Sequence, residues 1–398
     1  MIFASSKNTV RLASLAMLSC IASSTRAATL LDLANRYRSL VTATIPVPEG
    51  SWPEVDEYLG RRNLRRKYKP SGRVVEVQDW LLSDPRLHSS PGAEKEDTRP
   101  AVDLACQLGL VWPANLQRTW RGSYLCDLSE GLVDAVRMGD RTANPYALTA
   151  SQQLVLAWTC FSLDRSFMGY LLGVLRDLPS VFDFGEVAEA VRVSVLGFAS
   201  DIAVLASSPA DRVVAGRIRD LAGRLARTPG GRKARPGVVT EQTLRREFEE
   251  LLFWRLEGLV DLGYLSKTNR HSFSYQLSPT IEGVAELLEA GSDAGLHRGF
   301  FSHWRGRAGE PSRRLHGDAA LEALREANEI RSNQMGYTLV EQGVLVANVA
   351  LSASNKPAVL EWDDAVNAIS EVDPTRYKLL TSVDKDRHLS AFKLTVRQ

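Results

Sequence analysis

Leu256-Glu257-Gly258-Leu259-Val260-Asp261-Leu262-Gly263-Tyr264-Leu265-Ser266 runs directly into Lys267-Thr268-Asn269-Arg270-His271-Ser272, and Tyr275-Gln276-Leu277-Ser278-Pro279-Thr280-Ile281-Glu282-Gly283-Val284 follows. The leucines predict a helix that ends at Gly263, because the left-handed cap position costs glycine least. A short strand, Tyr264-Leu265, leaves it. The polar, basic stretch makes a hairpin turn, and the return strand carries Tyr275 and Leu277. Ser278 then caps the next helix.

The same order of features occurs earlier. Ala101-Val102-Asp103-Leu104-Ala105-Cys106-Gln107-Leu108-Gly109-Leu110-Val111 matches the helix, glycine and exit strand. Arg118-Thr119-Trp120-Arg121-Gly122-Ser123 matches the turn. Tyr124-Leu125-Cys126-Asp127-Leu128-Ser129-Glu130-Gly131-Leu132-Val133 matches the return strand, cap and next helix. Two repeats of one unit are thus expected, near residues 73–138 and 210–290.

Helix, strand, hairpin wing, strand, helix is the layout of the winged-helix superfamily, and the chain resembles that superfamily at both places. The chain also resembles, through no single motif, DNA-handling accessory proteins of bacterial phage-defence loci. The winged-helix resemblance implies that the helix before each wing is a recognition helix lying in the DNA major groove. In the first copy that helix, residues 98–108, has one basic residue, Arg99, while the wing offers Arg118, Trp120 and Arg121. In the second copy the helix from Thr240 to Leu262 carries Arg245, Arg246 and Arg255, and the wing carries Lys267, Arg270 and His271. Glu247, Glu249, Glu250 and Glu257 stand beside these arginines, so pairing into helical salt bridges is an equally open reading.

Working outward, 398 residues suggest two to three domains. Hydrophobic residues make up 44% and charged residues 24%, ordinary values for a globular chain. The net charge is +2, so affinity for nucleic acid must come from local patches. Two such patches stand out. Arg61-Arg62-Asn63-Leu64-Arg65-Arg66-Lys67-Tyr68-Lys69 reads either as a solvated face or as a phosphate-neutralising arm. Arg232, Lys233 and Arg235 sit in a Gly- and Pro-rich loop at 228–237. The expected DNA contacts are therefore Arg61, Arg62, Arg65, Arg66, Lys67, Lys69, Arg118, Trp120, Arg121, Arg232, Lys233, Arg235, Arg245, Arg246, Lys267 and Arg270.

The fold class expected is mainly α with small β wings: tandem winged-helix units joined by a helical region, plus a small C-terminal α+β domain. Residues 1–45 read as a helical hairpin, with a cleaved secretory signal as the alternative. Residues 60–140 form the first winged-helix-like domain and 145–208 a buried helical region. Residues 209–292 form the second such domain. The arginine-rich stretch 293–329, from His297 to Asp318 in particular, reads as a basic linker followed by a short helix at Glu322 to Asn328. Residues 330–398 form the α+β domain, with strands at Val344–Leu351, Tyr377–Leu380 and Ala391–Val396 and a helix from Asp363 to Ser370.

No Walker loop, GxGxxG, HExxH or GxSxG is present, so no catalytic residue is assigned and no cofactor is expected. His297, His303 and His316 lack partners at metal-ligand spacing and read as surface histidines, so no metal is expected. Cys20, Cys106, Cys126 and Cys160 lie far apart, a pattern that fits reduced thiols in a cytoplasmic protein. No uninterrupted apolar run is long enough to span a membrane. The function these features favour is a non-enzymatic DNA-binding protein, a regulator or the DNA-engaging subunit of a prokaryotic complex, with duplex DNA as partner. Two rivals stay open. One is a protein-interaction subunit that docks or self-associates through its winged helices. The other is a metal-dependent nuclease using Glu361, Asp363 and Asp364, or Asp384, Lys385 and Asp386.

Overall fold

The structure is a computed structural model of the whole chain. It describes residues 12–28, 33, 102–129, 131, 148–205, 216, 219–220, 241–268, 273–289, 294–309, 312–354, 356–383 and 389–396. Mostly helices with small sheets, these residues divide into two compact units, Met1–Ile281 and Glu282–Gln398.

The first unit begins with α1 (Leu12–Ile21), which buries Leu12, Leu15 and Leu18 and packs along α2 (Trp120–Asp127). The expected second N-terminal helix lies outside the described residues except at its edges and at the buried, helical Leu33. Then come α3 (Ala150–Leu163) and α4 (Arg165–Arg176), followed by β1 (Val181–Asp183) and α5 (Phe184–Leu205). The unit closes with α6 (Glu241–Asp261), β2 (Leu265–Lys267) and β3 (Ser274–Leu277). Thr149 starts α3 with a complete capping box: its side chain accepts from Gln152 N–H, and the Gln152 side chain accepts from Thr149 N–H.

The core of this unit forms around α6. Leu251, Leu252, Trp254, Leu256, Leu259 and Leu262 are buried, and so are Arg255, Glu257 and Asp261. Arg255 forms a bidentate ion pair with Asp164, Nε to Oδ2 at 2.7 Å and Nη2 to Oδ1 at 3.2 Å, and both side chains are fully buried. Its guanidinium carbon lies 4.2 Å from the Phe167 ring centre and 4.5 Å from that of Trp254. Asp164 is the residue between α3 and α4, so the pair fixes that joint to α6. Nearly two turns further on, Asp261 Oδ2 accepts the Leu12 N–H at 2.9 Å, which ties the start of α1 to the end of α6. Gly263, with φ of +75°, turns the chain from α6 into β2 as expected.

The hairpin also follows the sequence reading, with Leu265 opposite Leu277 and Lys267 opposite Tyr275. Its return strand has a second neighbour that the reading did not include. β1 pairs antiparallel with β3, Phe182 opposite Tyr275, so the sheet order is β1-β3-β2.

The first expected copy departs from its pattern. Residues 102–107 are helical, Gly109 takes a φ of +64°, and Val111 bridges Arg118. The predicted wing and return strand, however, belong to α2. The Thr119 side chain accepts from Gly122 N–H and starts a helix that buries Gly122, Tyr124 and Leu125. A Cβ at Gly122 would sit 2.1 Å from Leu110 O, so the glycine permits the close approach of this helix to the preceding turn. The 122, 125, 129 burial period is helical.

The second unit contains α7 (Ile281–Glu289, which begins at the boundary), α8 (Ala294–Gly306) and β4 (Arg313–Arg314). Then follow α9 (Gly317–Arg331), β5 (Thr338–Leu339), α10 (Val340–Ala353) and β6 (Ala358–Val359). It ends with α11 (Trp362–Ser370), β7 (Tyr377–Val383) and β8 (Leu389–Val396). Much of the expected basic linker is α8, because Leu296, Phe300 and Phe301 give it a buried face while Arg298 stays exposed. The short helix at 322–328 extends over all of α9. The expected strand at 344–351 is α10. Nearly every side chain there is buried, and burial decides over the β-propensity of its valines. The predicted helix 363–370 and strands 377–380 and 391–396 are present as α11, β7 and β8.

Sheet order in this unit is β5-β8-β7. Among the described residues both units carry, in order, a helix, a short strand, two further helices and a hairpin whose second strand lies between the other two, although β6 intervenes between α10 and α11 and residues 206–240 of the first unit are described only at the helical positions 216, 219 and 220. In the first unit these are α4, β1, α5, α6, β2 and β3; in the second, α9, β5, α10, α11, β7 and β8. Asn348 anchors the second instance. It donates to Leu360 O at 2.8 Å and accepts from Leu360 N–H at 3.1 Å, holding α10 to the approach of α11.

Replacing Asp164 with Ala leaves the Arg255 guanidinium buried without its counter-charge. Asp164→Ala is expected to cost about 3–5 kcal/mol of stability in urea unfolding, whereas Asp164→Leu combined with Arg255→Met recovers most of that loss. Equal stability of Asp164→Ala and the parent would contradict the geometry.

Candidate nucleic-acid interface

The hairpin and the helix that precedes it are where the winged-helix resemblance places DNA contacts, and their buried charges limit which residues can make them. Lys267, expected on a solvated wing, leaves β2 inward. Its Nζ lies 2.8 Å from Glu257 Oε1, and its side chain is 4% exposed beside a fully buried Glu257. Glu257 also accepts from the Tyr275 hydroxyl at 2.8 Å. The ammonium sits 5.1 Å from the Phe273 ring centre and 5.3 Å from that of Tyr275. Lys267 is thus a core cation that locks β2 and β3 onto α6, and its expected role as a DNA contact is corrected on that ground. The same holds for Arg255, which the pair with Asp164 consumes. The C-terminal half of α6 is buried all round. Arg245 and Arg246 belong to its N-terminal half, residues 241–250.

Arg118, Trp120 and Arg121 stand in a turn and a helix start rather than in a wing. Arg118 N–H donates to Ser23 O at 2.9 Å, and among the described residues its buried Nε has no hydrogen-bond partner. Trp120 opens α2, and the Arg121 guanidinium lies 4.9 Å from its ring centre. The turn before them exposes Trp112 at 57%, an aromatic that the sequence reading passed over. Its signal was the Trp-Pro step that interrupts the apolar run after Val111. Arg26 is exposed in the segment that pairs with this turn, since Ala28 N–H donates to Asn115 O at 2.9 Å. Arg26, Trp112, Trp120 and Arg121 thus belong to one turn-and-helix assembly of basic and aromatic side chains.

Arg61, Arg62, Arg65, Arg66, Lys67, Lys69, Arg232, Lys233, Arg235 and Arg270 lie outside the described residues. The structure therefore brings together Arg118, Trp120 and Arg121 and takes Lys267 into the core.

Of the carboxylates weighed for a nuclease, Glu361, Asp363 and Asp364 are each engaged, while Asp384, Lys385 and Asp386 lie outside the described residues. Glu361, fully buried, accepts from the backbone N–H groups of Phe301 at 3.2 Å and Ser302 at 2.7 Å. Desolvation raises its pKa, and those hydrogen bonds oppose the rise. Asp363 pairs with Arg298 at 3.3 Å, and Asp364 with Arg314 at 2.9 Å and His316 Nδ1 at 3.1 Å. His303 is half-buried, and desolvation pushes its pKa down to about 4, which keeps it neutral at physiological pH. Among the described residues no three His, Cys, Asp or Glu side chains converge to hold a metal. No described helix is long and apolar enough to cross a membrane. No disulfide joins Cys20, Cys106, Cys126 or Cys160. No family model, curated protein or solved structure matches the chain.

The assignment of Lys267 to the core has a direct consequence. Lys267→Ala should lower stability by about 3 kcal/mol, because it removes the paired cation from a fully buried carboxylate. Binding of the still-folded fraction to duplex DNA, followed by fluorescence anisotropy, should stay within about twofold of the parent. A large loss of affinity with unchanged stability would return Lys267 to the interface.

Proposed function

We propose that this chain is a non-enzymatic protein that binds duplex DNA, as a regulator or as the DNA-engaging subunit of a larger prokaryotic assembly, phage defence included. The observation that carries the reading is the layout around α6: a helix that ends at Gly263 and feeds a hairpin whose return strand is held between β2 and β1. That layout supports a winged-helix unit spanning residues 165–277, with α6 as the helix presented to DNA. The buried charges on its C-terminal half hold α6 rigid, so its N-terminal half, with Arg245 and Arg246, is the part offered to the groove. The basic stretches at 61–69 and 232–235 would then supply phosphate contacts, and these position a protein without reading sequence.

A second reading, docking onto a protein, has one observation in its favour. In the second unit the helix that precedes the hairpin, α11, begins Trp362-Asp363-Asp364, and its exposed C-terminal end carries Glu371. Arg298, Arg314 and His316 are taken up in ion pairs with Asp363 and Asp364, so the helix start has less cationic charge to offer a phosphate, and the second unit suits a protein partner better than DNA.

The DNA reading predicts that the purified chain binds duplex DNA at low ionic strength, and that affinity falls by at least tenfold between 50 and 200 mM salt, on the order expected when several phosphates are neutralised. Arg245→Glu with Arg246→Glu should abolish binding while leaving the circular dichroism spectrum unchanged. Absence of a band shift at the lowest salt would sink the proposal.

A further inference from the structure

The two sheets differ in what they leave open. In the first unit the outer strands, β1 and β2, have three residues each. In the second unit β5 has two, but β7 has seven and pairs only with β8 among the described residues. Residues 380–383 are exposed in succession, on both faces of the strand, with Leu380 at 42% and Val383 at 57%. The one irregularity of this hairpin falls in β8. Ser382 faces Ala391 and Val383 faces Leu389, so Ser390 is the extra residue and β7 stays regular. Long edge strands are normally blunted by prolines, bulges or several charges, because their free backbone groups recruit another strand. β7 has no proline, no bulge of its own and one charged residue, Lys378.

We propose that β7 is the contact between two copies of this chain, which pair antiparallel about Leu380 into one six-stranded sheet. Antiparallel pairing of a strand with itself requires residues on the same face to meet. Any axis through a residue meets this condition, and about Leu380 the facing pairs are Leu380 with its counterpart, Leu379 with Thr381, Tyr377 with Val383, and Lys378 with Ser382. No like charges stand opposite one another, because the two Lys378 side chains lie about 14 Å apart, four residues at strand rise. Pairing covers Leu380 and Val383, the apolar side chains exposed on this strand. The contact is isologous, so it closes at two copies. A second copy is favoured over an unrelated strand because this register sets Leu380 on Leu380 and Tyr377 on Val383 and brings no like charges together. The proposal draws on the DNA reading only for its consequence: two DNA-presenting units in one particle would favour two-fold symmetric sites.

Sedimentation velocity of the full chain without DNA separates this proposal from the DNA reading. At tens of micromolar the parent should sediment as a dimer of about twice 43.9 kDa. Leu380→Lys, which places two ammonium groups face to face, should halve the mass without changing the circular dichroism spectrum. Leu380→Cys should be captured as a covalent dimer by a short bis-maleimide, and Lys356→Cys, remote from β7 in the chain, should not. A parent monomeric at 100 µM, or a Leu380→Lys variant still dimeric, would overturn the proposal whatever the DNA result.

Discussion

The first unit depends on the burial of a charged guanidinium. Arg255 could not leave water without a matched partner, since the desolvation cost of one isolated ion exceeds the net stability of a domain. Asp164 supplies that partner with two hydrogen bonds and no exposure of either side chain. Because Asp164 is the single residue between α3 and α4, the pair dictates where α4 can start and how it meets α6. The two aromatic rings around the guanidinium add cation–π attraction in a dry setting. Two further buried charges continue the scheme along the same helix. Glu257 holds the hairpin through Lys267 and Tyr275, and Asp261 holds α1 through its first amide. Three charged residues within two turns of α6 thus each fasten a different element.

This arrangement bears on function as well as on stability. A helix with charges buried on several sides of its C-terminal half cannot rotate or slide, so whatever its N-terminal half presents is held in fixed relation to the hairpin. In the second unit the corresponding helix is fastened differently. Glu361 binds two amides of α8, and Asp363 and Asp364 bind Arg298, Arg314 and His316. Glu361 and Asp364 are buried at the helix start, and Asp363 is half-buried beside Arg298. The two hairpin-linked helices are thus fastened by different charges, and the proposed division of labour, DNA for one unit and self-association for the other, rests on α6 with its hairpin and on the β7 edge.

The helix–glycine–hairpin order at 256–277 was legible because each step has a local signal: leucine spacing, a glycine at a positive φ, and a return strand with an aromatic. The repeat at 101–133 copied those signals, but Thr119 as an N-cap and Gly122 against Leu110 turned the supposed wing into α2. The second unit, which repeats the strand order but has no glycine between α11 and its hairpin, was hidden. Its helix α10 is rich in valine and buried on nearly all sides, so the 3.6-residue period that identifies a surface helix is absent. The arginines of α8 masked the Leu296, Phe300, Phe301 face in the same way. The short strands β1 and β5 have no sequence signature of their own and are fixed by partners more than fifty residues away in the chain. Lys267 and Arg255 looked like surface cations because their carboxylate partners lie on other elements, Glu257 on α6 and Asp164 between α3 and α4. Only the three-dimensional pairing shows that they are internal.

Hydrogen–deuterium exchange of the full chain with and without duplex DNA tests the central claim most directly. The account predicts that amides of residues 251–261 exchange only through global unfolding, with or without DNA, and that DNA slows exchange in residues 241–250 and at the β2–β3 hairpin. Rapid exchange in 251–261 of the free protein, or slowing by DNA confined to residues 282–398, would contradict it.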